Sequence, residues 1–145
     1  MRIVSLVVLL LLSGFAQASD YGEIPQTFFS KISTGAHSQA IDYLYDTNKW
    51  MAKNSDQVLN LKSQLESLDG LVGQYQFHEL ISETKVGANY AHLIYLVGYE
   101  RQPLRFELQL YRVNGTWLML GVSFDARLTN DISTLANQNL LDTNK

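Results

Sequence analysis

Histidine is the residue of this sequence most suited to metal binding, and its spacing predicts no site. His37, His78 and His92 lack the His-x-His and His-x-x-x-His spacings that bring two imidazoles to one metal ion. Residues 78–82 (HELIS) lack the second histidine of a zinc-protease motif and lie in a predicted strand. The sequence therefore predicts no metal site, and no other cofactor is expected.

Motifs for nucleophilic catalysis and phosphate binding are missing as well. Residues 121–125 (GVSFD) lack the closing glycine of a serine nucleophile elbow. Gly70, Gly73, Gly87 and Gly98 have neither Walker nor dinucleotide-binding spacing. The chain contains no cysteine, which excludes disulfides and a thiolate nucleophile. No residue is therefore assigned a catalytic role.

Residues 1–18 have the organisation of a secretory signal peptide. Arg2 precedes an apolar run over residues 3–12, and Ala16-Gln17-Ala18 forms a cleavage site. The run is shorter than the roughly 20 residues that span a bilayer, so cleavage after Ala18 is favoured over the alternative of an uncleaved anchor. We expect a periplasmic or secreted protein that is not inserted in the membrane after cleavage.

The charge balance excludes one class of partner. The chain has 11 basic and 14 acidic residues, a net charge of −3, and no cluster of Lys and Arg. Nucleic acids and anionic membrane surfaces are bound by such clusters. We therefore expect no nucleic-acid partner.

Helical periodicity is confined to the region before Gly73. Three helices are predicted there: the first begins at Pro25, Gly35 separates it from the second, and Ser55 caps the third. Each has apolar residues at helical spacing, which predicts one buried face per helix. These residues are Phe28, Phe29 and Ile32; Ala40, Ile41, Leu44 and Tyr45; and Val58, Leu61, Leu65 and Leu68.

After Gly73 the apolar residues alternate, which indicates strands. Four strands are predicted, over residues 74–84, 89–99, 104–113 and 116–127. Short connections predict an antiparallel meander, with a two-residue turn at Arg101-Gln102. The face predicted to lie under the helices holds Leu93, Tyr95, Val97, Tyr99, Leu104, Phe106, Leu108 and Leu110.

Asn114-Gly115 marks the last hairpin, and the loop length can be argued from the pattern. A two-residue loop would pair Phe106 with Ser123, which places an apolar side chain opposite a polar one. A three-residue loop over residues 113–115 pairs Phe106 with Val122 instead. The sequence therefore favours the longer loop.

The order of these elements resembles the NTF2-like superfamily, which includes ketosteroid isomerase-like and SnoaL-like proteins. Residues 24–35 (IPQTFFSKISTG) and 40–44 (AIDYL) are similar to its first helix, turn and second helix. Residues 111–117 (YRVNGTW) are similar to its last hairpin, in which a glycine turn is followed by Trp. The resemblance implies an α+β fold, with N-terminal helices packed in the concave face of a curved four-stranded antiparallel sheet.

The chain is predicted to consist of three parts. A signal peptide covers residues 1–18, a single NTF2-like domain covers 19–129, and a polar tail covers 130–145. The tail is expected either to form a short helix through Ile132 and Leu135 or to remain disordered.

The resemblance also implies a pocket at the open end of the cone and no single activity. We place Tyr43, Tyr95 and Tyr99 at the mouth of this pocket, with their hydroxyls available to a ligand, and Trp50 as a side chain that closes it. The alternative is that they are large core residues whose polar ends reach solvent.

Dimerisation through the outer face of the sheet is also common among proteins of this kind. The alternation leaves that face too apolar to remain in water, and large exposed apolar patches usually mark interaction sites. The predicted interface residues are His92, Ile94, Leu96, Gln109, Tyr111, Trp117 and Met119.

Two functions remain open. The first is an exported non-catalytic NTF2-like binding or accessory domain, a homodimer that binds a small apolar ligand or an envelope protein. The second is a small-molecule isomerase or dehydratase that uses an acid and tyrosine hydroxyls in the cone pocket. The first is favoured because no catalytic set is recognisable.

Overall fold

The computed structural model describes residues 21–142, with side chains as far as residue 138, so the predicted signal peptide lies outside the described residues. Helices precede and follow one set of strands, an α+β architecture as predicted. The elements are α1 (Glu23–Ser33), α2 (His37–Asp46), α3 (Asp56–Glu66), α4 (Leu68–Val72), β1 (Tyr75–Val86), β2 (Tyr90–Tyr99), β3 (Pro103–Val113), β4 (Thr116–Asp125) and α5 (Leu128–Asp142).

The four strands form one antiparallel sheet in the order β1-β2-β3-β4, which confirms the meander. The β1–β2 pairing is interrupted twice, because Gln76 and Ile81 are extra residues on β1. Such bulges bend a strand and increase its twist, and they contribute to the curvature of the sheet.

One hydrophobic core joins the N-terminal helices to one face of the sheet. Phe28 and Phe29 of α1 are fully buried and lie 6.3 and 6.0 Å, between ring centroids, from Phe106 of β3. The predicted inner residues of β2 and β3 are all buried in this core. The turn between these strands comes one residue earlier than predicted, since the Tyr99 N–H donates to the Gln102 carbonyl at 3.3 Å.

Local signals account for the start of α3 and the end of α4. The hydroxyl of Ser55 accepts a hydrogen bond from the Val58 N–H at 3.4 Å and caps α3, as predicted. The third predicted helix is divided in two, because α3 ends at Glu66 and the short α4 follows. Gly73 ends α4 with φ +84°, a left-handed conformation that favours glycine.

The last hairpin differs from the prediction. Val113 pairs with Thr116, so the connection is the two-residue turn Asn114-Gly115. Both turn residues have positive φ, 49° and 78°, which is the requirement of a type I′ turn. The predicted three-residue loop is therefore wrong.

A bulge in β4 shifts the β3–β4 register by one residue, the same shift that a three-residue loop would have produced. Leu110 pairs with Met119 before the bulge, and Phe106 pairs with Phe124 after it. The extra residue between the two segments is Leu120. Apolar residues therefore stay opposite one another along the hairpin even though the turn is short.

The two-residue turn reverses the predicted orientation of two interface residues. Trp117 and Met119 come before Leu120 and face the helices. Met119 is fully buried, and the Trp117 ring meets Tyr21 edge-on, with the centroids 5.0 Å apart. The prediction that these two residues lie on the outer face is wrong.

The described part of the tail, as far as Asp142, is helical, which agrees with one of the two alternatives for it. Helix α5 begins at Leu128, two residues before the predicted start of the tail, and runs through Ile132 and Leu135. Within residues 21–142, no helix has both the length and the apolar character needed to cross a membrane.

Candidate ligand-binding cleft

A cleft of about 270 Å³ lies between the start of α1 and the edge strand β1. Tyr95 of β2 belongs to it because this residue pairs with Leu80 of β1 on the inner face of the sheet. Helix α1 covers β1 only in part, so Leu80 and His78 remain exposed while Tyr95 is buried. The cleft is lined by Tyr21, Gly22, Pro25, Gln26, His78, Leu80 and Tyr95.

His78 is held in a fixed orientation in this cleft. Its ring stacks on Phe29 of α1, with centroids 4.2 Å apart and planes 14° from parallel. Its Nδ1 atom lies 2.6 Å from the Tyr75 hydroxyl. Burial lowers the pKa of His78 and raises that of Tyr75. The imidazole is therefore neutral at pH 7, and when the phenol donates to Nδ1, the ring proton is on Nε2.

Tyr95 contributes a second neutral donor. Burial, and then the neighbouring Tyr21 and Glu83, raise the pKa of Tyr95 to about 12, so its hydroxyl stays protonated. The Tyr21 hydroxyl donates to the Glu83 carboxylate. Within the described part of the chain, neither the Tyr95 hydroxyl nor the Nε2 atom of His78 makes a hydrogen bond. Two neutral donors therefore line the cleft, and each can still donate a hydrogen bond to a ligand.

Tyr99 lies beside the cleft, in a second polar cluster that also contains Asp69 and His37. Its ring meets Tyr75 edge-on, with centroids 6.2 Å apart. Burial, followed by the nearby Asp69, raises the pKa of Tyr99. Its buried hydroxyl and the buried Nε2 atom of His37 both lack a hydrogen bond to any described residue. The Oδ1 atom of Asp69 is 3.9 Å from Nε2 of His37, too far for a hydrogen bond.

The structure does not bring Tyr43 or Trp50 to the cleft. Tyr43 packs against the core, and its hydroxyl lies 3.5 Å from the carbonyl oxygen of Glu23. Trp50 is 82% exposed, and the Lys49 ammonium lies 5.1 Å from the centre of its ring. Of the four predicted ligand-binding residues, only Tyr95 lines the cleft. Tyr99 contacts Tyr75, whose hydroxyl lies next to His78.

Sequence reasoning missed His78, Tyr75 and Tyr21. Strict alternation places Tyr75 and His78, three residues apart, on opposite faces of a strand. The bulge at Gln76 brings them together. No pattern in the sequence indicates this bulge, and the contact with Phe29 of α1 depends on tertiary packing.

The outer face of the sheet is more polar than the sequence indicated. Arg105 binds Asp125 at 2.7 Å and Glu107 at 3.2 Å, and His92 lies 2.8 Å from the same glutamate. Among the other predicted interface residues, Ile94, Leu96 and Gln109 are half-buried and Tyr111 is exposed. The apolar part of this face therefore lies on β1 and β2, beside charged residues of β3 and β4.

No protein-family model matches the chain, and no curated protein is similar to it in sequence. The order of helices followed by a four-stranded antiparallel sheet is compatible with an NTF2-like fold. Among the described side chains, no group of three His, Asp or Glu residues is placed to hold a metal ion.

Proposed function

We propose that this protein is an exported NTF2-like binding domain that holds a small, largely apolar ligand between α1 and β1. The observation that carries the proposal is the pair of unused donors in the cleft, Nε2 of His78 and the hydroxyl of Tyr95. Both donors line the same cleft, so an acceptor atom of a ligand can bind to them there. The signal-like residues 1–18 support export, and the order of elements supports the superfamily.

The lining of the cleft defines the ligand further. Pro25, Leu80 and the ring of Tyr21 provide apolar walls. No lining residue carries a formal charge at neutral pH, since His78 is neutral there. The volume is small compared with drug-sized sites. A compact, uncharged molecule with a carbonyl or ether oxygen fits this description.

Binding can be tested by thermal shift and titration calorimetry with a panel of small uncharged ketones and lactones. Tyr95→Phe and His78→Phe each remove one donor and keep a ring, and each is expected to weaken binding by about fivefold to tenfold. Tyr43→Phe is the matched control, because it removes a hydroxyl outside the cleft. The proposal fails if no compound binds or if the control weakens binding as much as Tyr95→Phe.

A second candidate function is an isomerase or dehydratase that acts in the same cleft. It is favoured by one observation, the neutral imidazole of His78 beside the hydroxyl of Tyr95. This function needs the other tautomer of His78, in which Nδ1–H donates to the Tyr75 hydroxyl: Nε2 can then accept a proton from carbon while the Tyr95 phenol stabilises the oxygen of the substrate. Proton NMR of a bound ketone in deuterated water separates the two functions. Deuterium exchange beside the carbonyl that His78→Phe abolishes supports the enzyme, and a ligand that stays unchanged supports binding alone.

We also propose that the protein is a homodimer through the outer face of the sheet. Without Trp117 and Met119, the apolar part of that face consists of Ile94, Leu96 and the exposed ring of Phe77 beside them. Light scattering of residues 19–145 tests the proposal. Twice the monomer mass supports it, and the monomer mass overturns it.

A further inference from the structure

Helix α5 carries an apolar stripe that its own domain leaves uncovered. Leu128, Ile132 and Leu135 are separated by steps of four and three, so they lie on one face of the helix. Leu128 is buried, whereas Ile132 and Leu135 are 54% and 58% exposed. The stripe is therefore anchored at its first residue and exposed beyond it.

The outer face of the sheet provides a second uncovered apolar surface. Helices α1 to α4 contribute their buried residues to the core on the opposite face. On the outer face, Ile94 and Leu96 are half-buried, and Phe77 is 46% exposed. Neither this patch nor the α5 stripe is covered by the part of the chain that the structure describes.

An ion pair places the start of α5 next to this face. Arg105 pairs with Leu96 in the β2–β3 ladder and projects to the outer side. Its guanidinium binds Asp131, in the first turn of α5, at 2.8 Å. The helix therefore leaves the domain beside the apolar patch, with its beginning fixed.

The length of α5 matches the width of the sheet. Its 15 residues make a helix about 22 Å long, and four strands about 4.8 Å apart span less than this. A helix of this length can cross the whole outer face. It does not cover its own sheet in this way, because Ile132 and Leu135 remain exposed.

We propose that α5 packs through Ile132 and Leu135 on the outer sheet face of a second copy of this chain, whose α5 does the same in return. A reciprocal exchange covers the stripe and the patch of both chains at once. It also closes on itself under twofold symmetry, the commonest arrangement of homo-oligomers. The inference specifies the contacts of the homodimer proposed above and rests on it.

Two variants with opposite charges test the exchange. Ile132→Glu with Leu135→Glu alters the helix, and Leu96→Lys alters the face that receives it. Each variant alone is expected to weaken the dimer by about 100-fold or more, as measured by analytical ultracentrifugation. Thr134→Glu with Asn137→Glu adds the same charge to the other side of α5 and is expected to leave the dimer intact.

The mixture of the two variants is decisive. A mixed dimer keeps one native contact between α5 and the sheet and gains a Glu–Lys contact at the other, so mixing is expected to restore the dimer mass. Recovery also shows that both variants are folded.

The outcomes separate the inference from the proposal on which it rests. A monomeric wild-type chain overturns both. A dimeric wild-type chain whose α5 variant remains dimeric overturns the exchange alone. The exchange is also overturned if the mixture of two monomeric variants remains monomeric.

Discussion

The ring of Phe77 lies across Gly98, its partner in the β1–β2 ladder. A Cβ atom on Gly98 would be 2.3 Å from Cε1 of the Phe77 ring. Glycine inside a strand weakens the strand, so its presence here has a packing reason: the missing side chain makes room for the ring. Because Phe77 is partly exposed, an added side chain at Gly98 would displace the ring toward solvent rather than move the strand.

The first prediction follows from this contact. Gly98→Ala is expected to lower the free energy of unfolding by about 1 kcal/mol, because the displaced ring exposes apolar surface. In a Phe77→Ala background the same substitution is expected to be neutral or slightly stabilising, since alanine is the better strand residue. Urea denaturation of the four proteins measures the coupling. Additive effects would show that the ring and the glycine do not interact.

The second prediction concerns the type I′ turn. Gly115→Ala places a side chain at φ 78° and is expected to cost about 1 kcal/mol of stability. Gly70→Ala is the matched control. Gly70 lies in α4 with open space around its Cβ position, so alanine is expected to stabilise there by about 0.5 kcal/mol. Equal losses at both glycines would contradict the role given to the turn.

The same hairpin shows how far the sequence predicts this fold. Asn114-Gly115 located the turn, and alternation assigned the inner faces of β2 and β3, because both strands are regular. The bulges at Ile81 and Leu120 were not predictable, since each adds an apolar residue directly after another apolar residue. An error of one residue reverses the faces of a strand, which is why Trp117 was placed on the wrong side.

The candidate cleft was predictable only in part, for a related reason. Tyr95 lies on a regular strand and was placed correctly on the inner face. His78 lies between the two bulges of β1, and its partner Phe29 comes from α1. Contacts between residues this far apart in sequence depend on tertiary packing, which periodicity does not report.

A third prediction concerns the buried hydroxyl of Tyr99. Since this hydroxyl has no hydrogen-bond partner among the described residues, it carries a desolvation cost without compensation. Tyr99→Phe is expected to raise the free energy of unfolding by about 1 kcal/mol. Tyr21→Phe should have the opposite effect, because that hydroxyl donates to Glu83. A loss of stability in Tyr99→Phe would indicate a bound water or ligand at the hydroxyl.

The fourth prediction is a pH dependence set by Asp125. Burial opposes ionisation, but hydrogen bonds from Arg127 and Arg105 outweigh it and lower the pKa of Asp125 to about 2. The unfolded value is about 3.9. This carboxylate therefore stabilises the fold fully above about pH 4, and the contribution is lost as the pH falls toward 2.

Asp125→Asn is expected to cost about 1 kcal/mol at pH 7 and to remove this part of the acid dependence. Urea denaturation between pH 2 and 7 measures both effects. Asp56→Asn is a control, because Asp56 is an exposed carboxyl in the first turn of α3. A variant whose stability still falls as steeply as wild type between pH 4 and 2 would assign the titration to another carboxyl.

Two side chains after α2 form hydrogen bonds with the backbone of Met119, at the free edge of β4. The amide of Asn48 donates to the Met119 carbonyl at 2.8 Å, and the Met119 N–H donates to the Thr47 hydroxyl at 2.9 Å. Asn48 is itself buried and accepts from the Trp50 N–H through its oxygen, at 3.2 Å. Both backbone groups of one edge residue are thus paired with side chains more than 70 positions away in sequence.

The fifth prediction is that this connection is among the strongest polar contributions to the fold. Asn48→Ala leaves the Met119 carbonyl without its partner and is expected to lower the free energy of unfolding by about 2 kcal/mol. Asn60→Ala, on the exposed side of α3, is the control and should lower it by less than about 0.5 kcal/mol.

Thr47→Val keeps the shape of the side chain and removes the acceptor for the Met119 N–H. Because both side chains bind one residue, the double variant should cost less than the sum of the two single losses. Hydrogen exchange at the Met119 amide provides a local measurement: faster exchange in Thr47→Val than in wild type is expected, and unchanged exchange would show that water replaces the hydroxyl without loss.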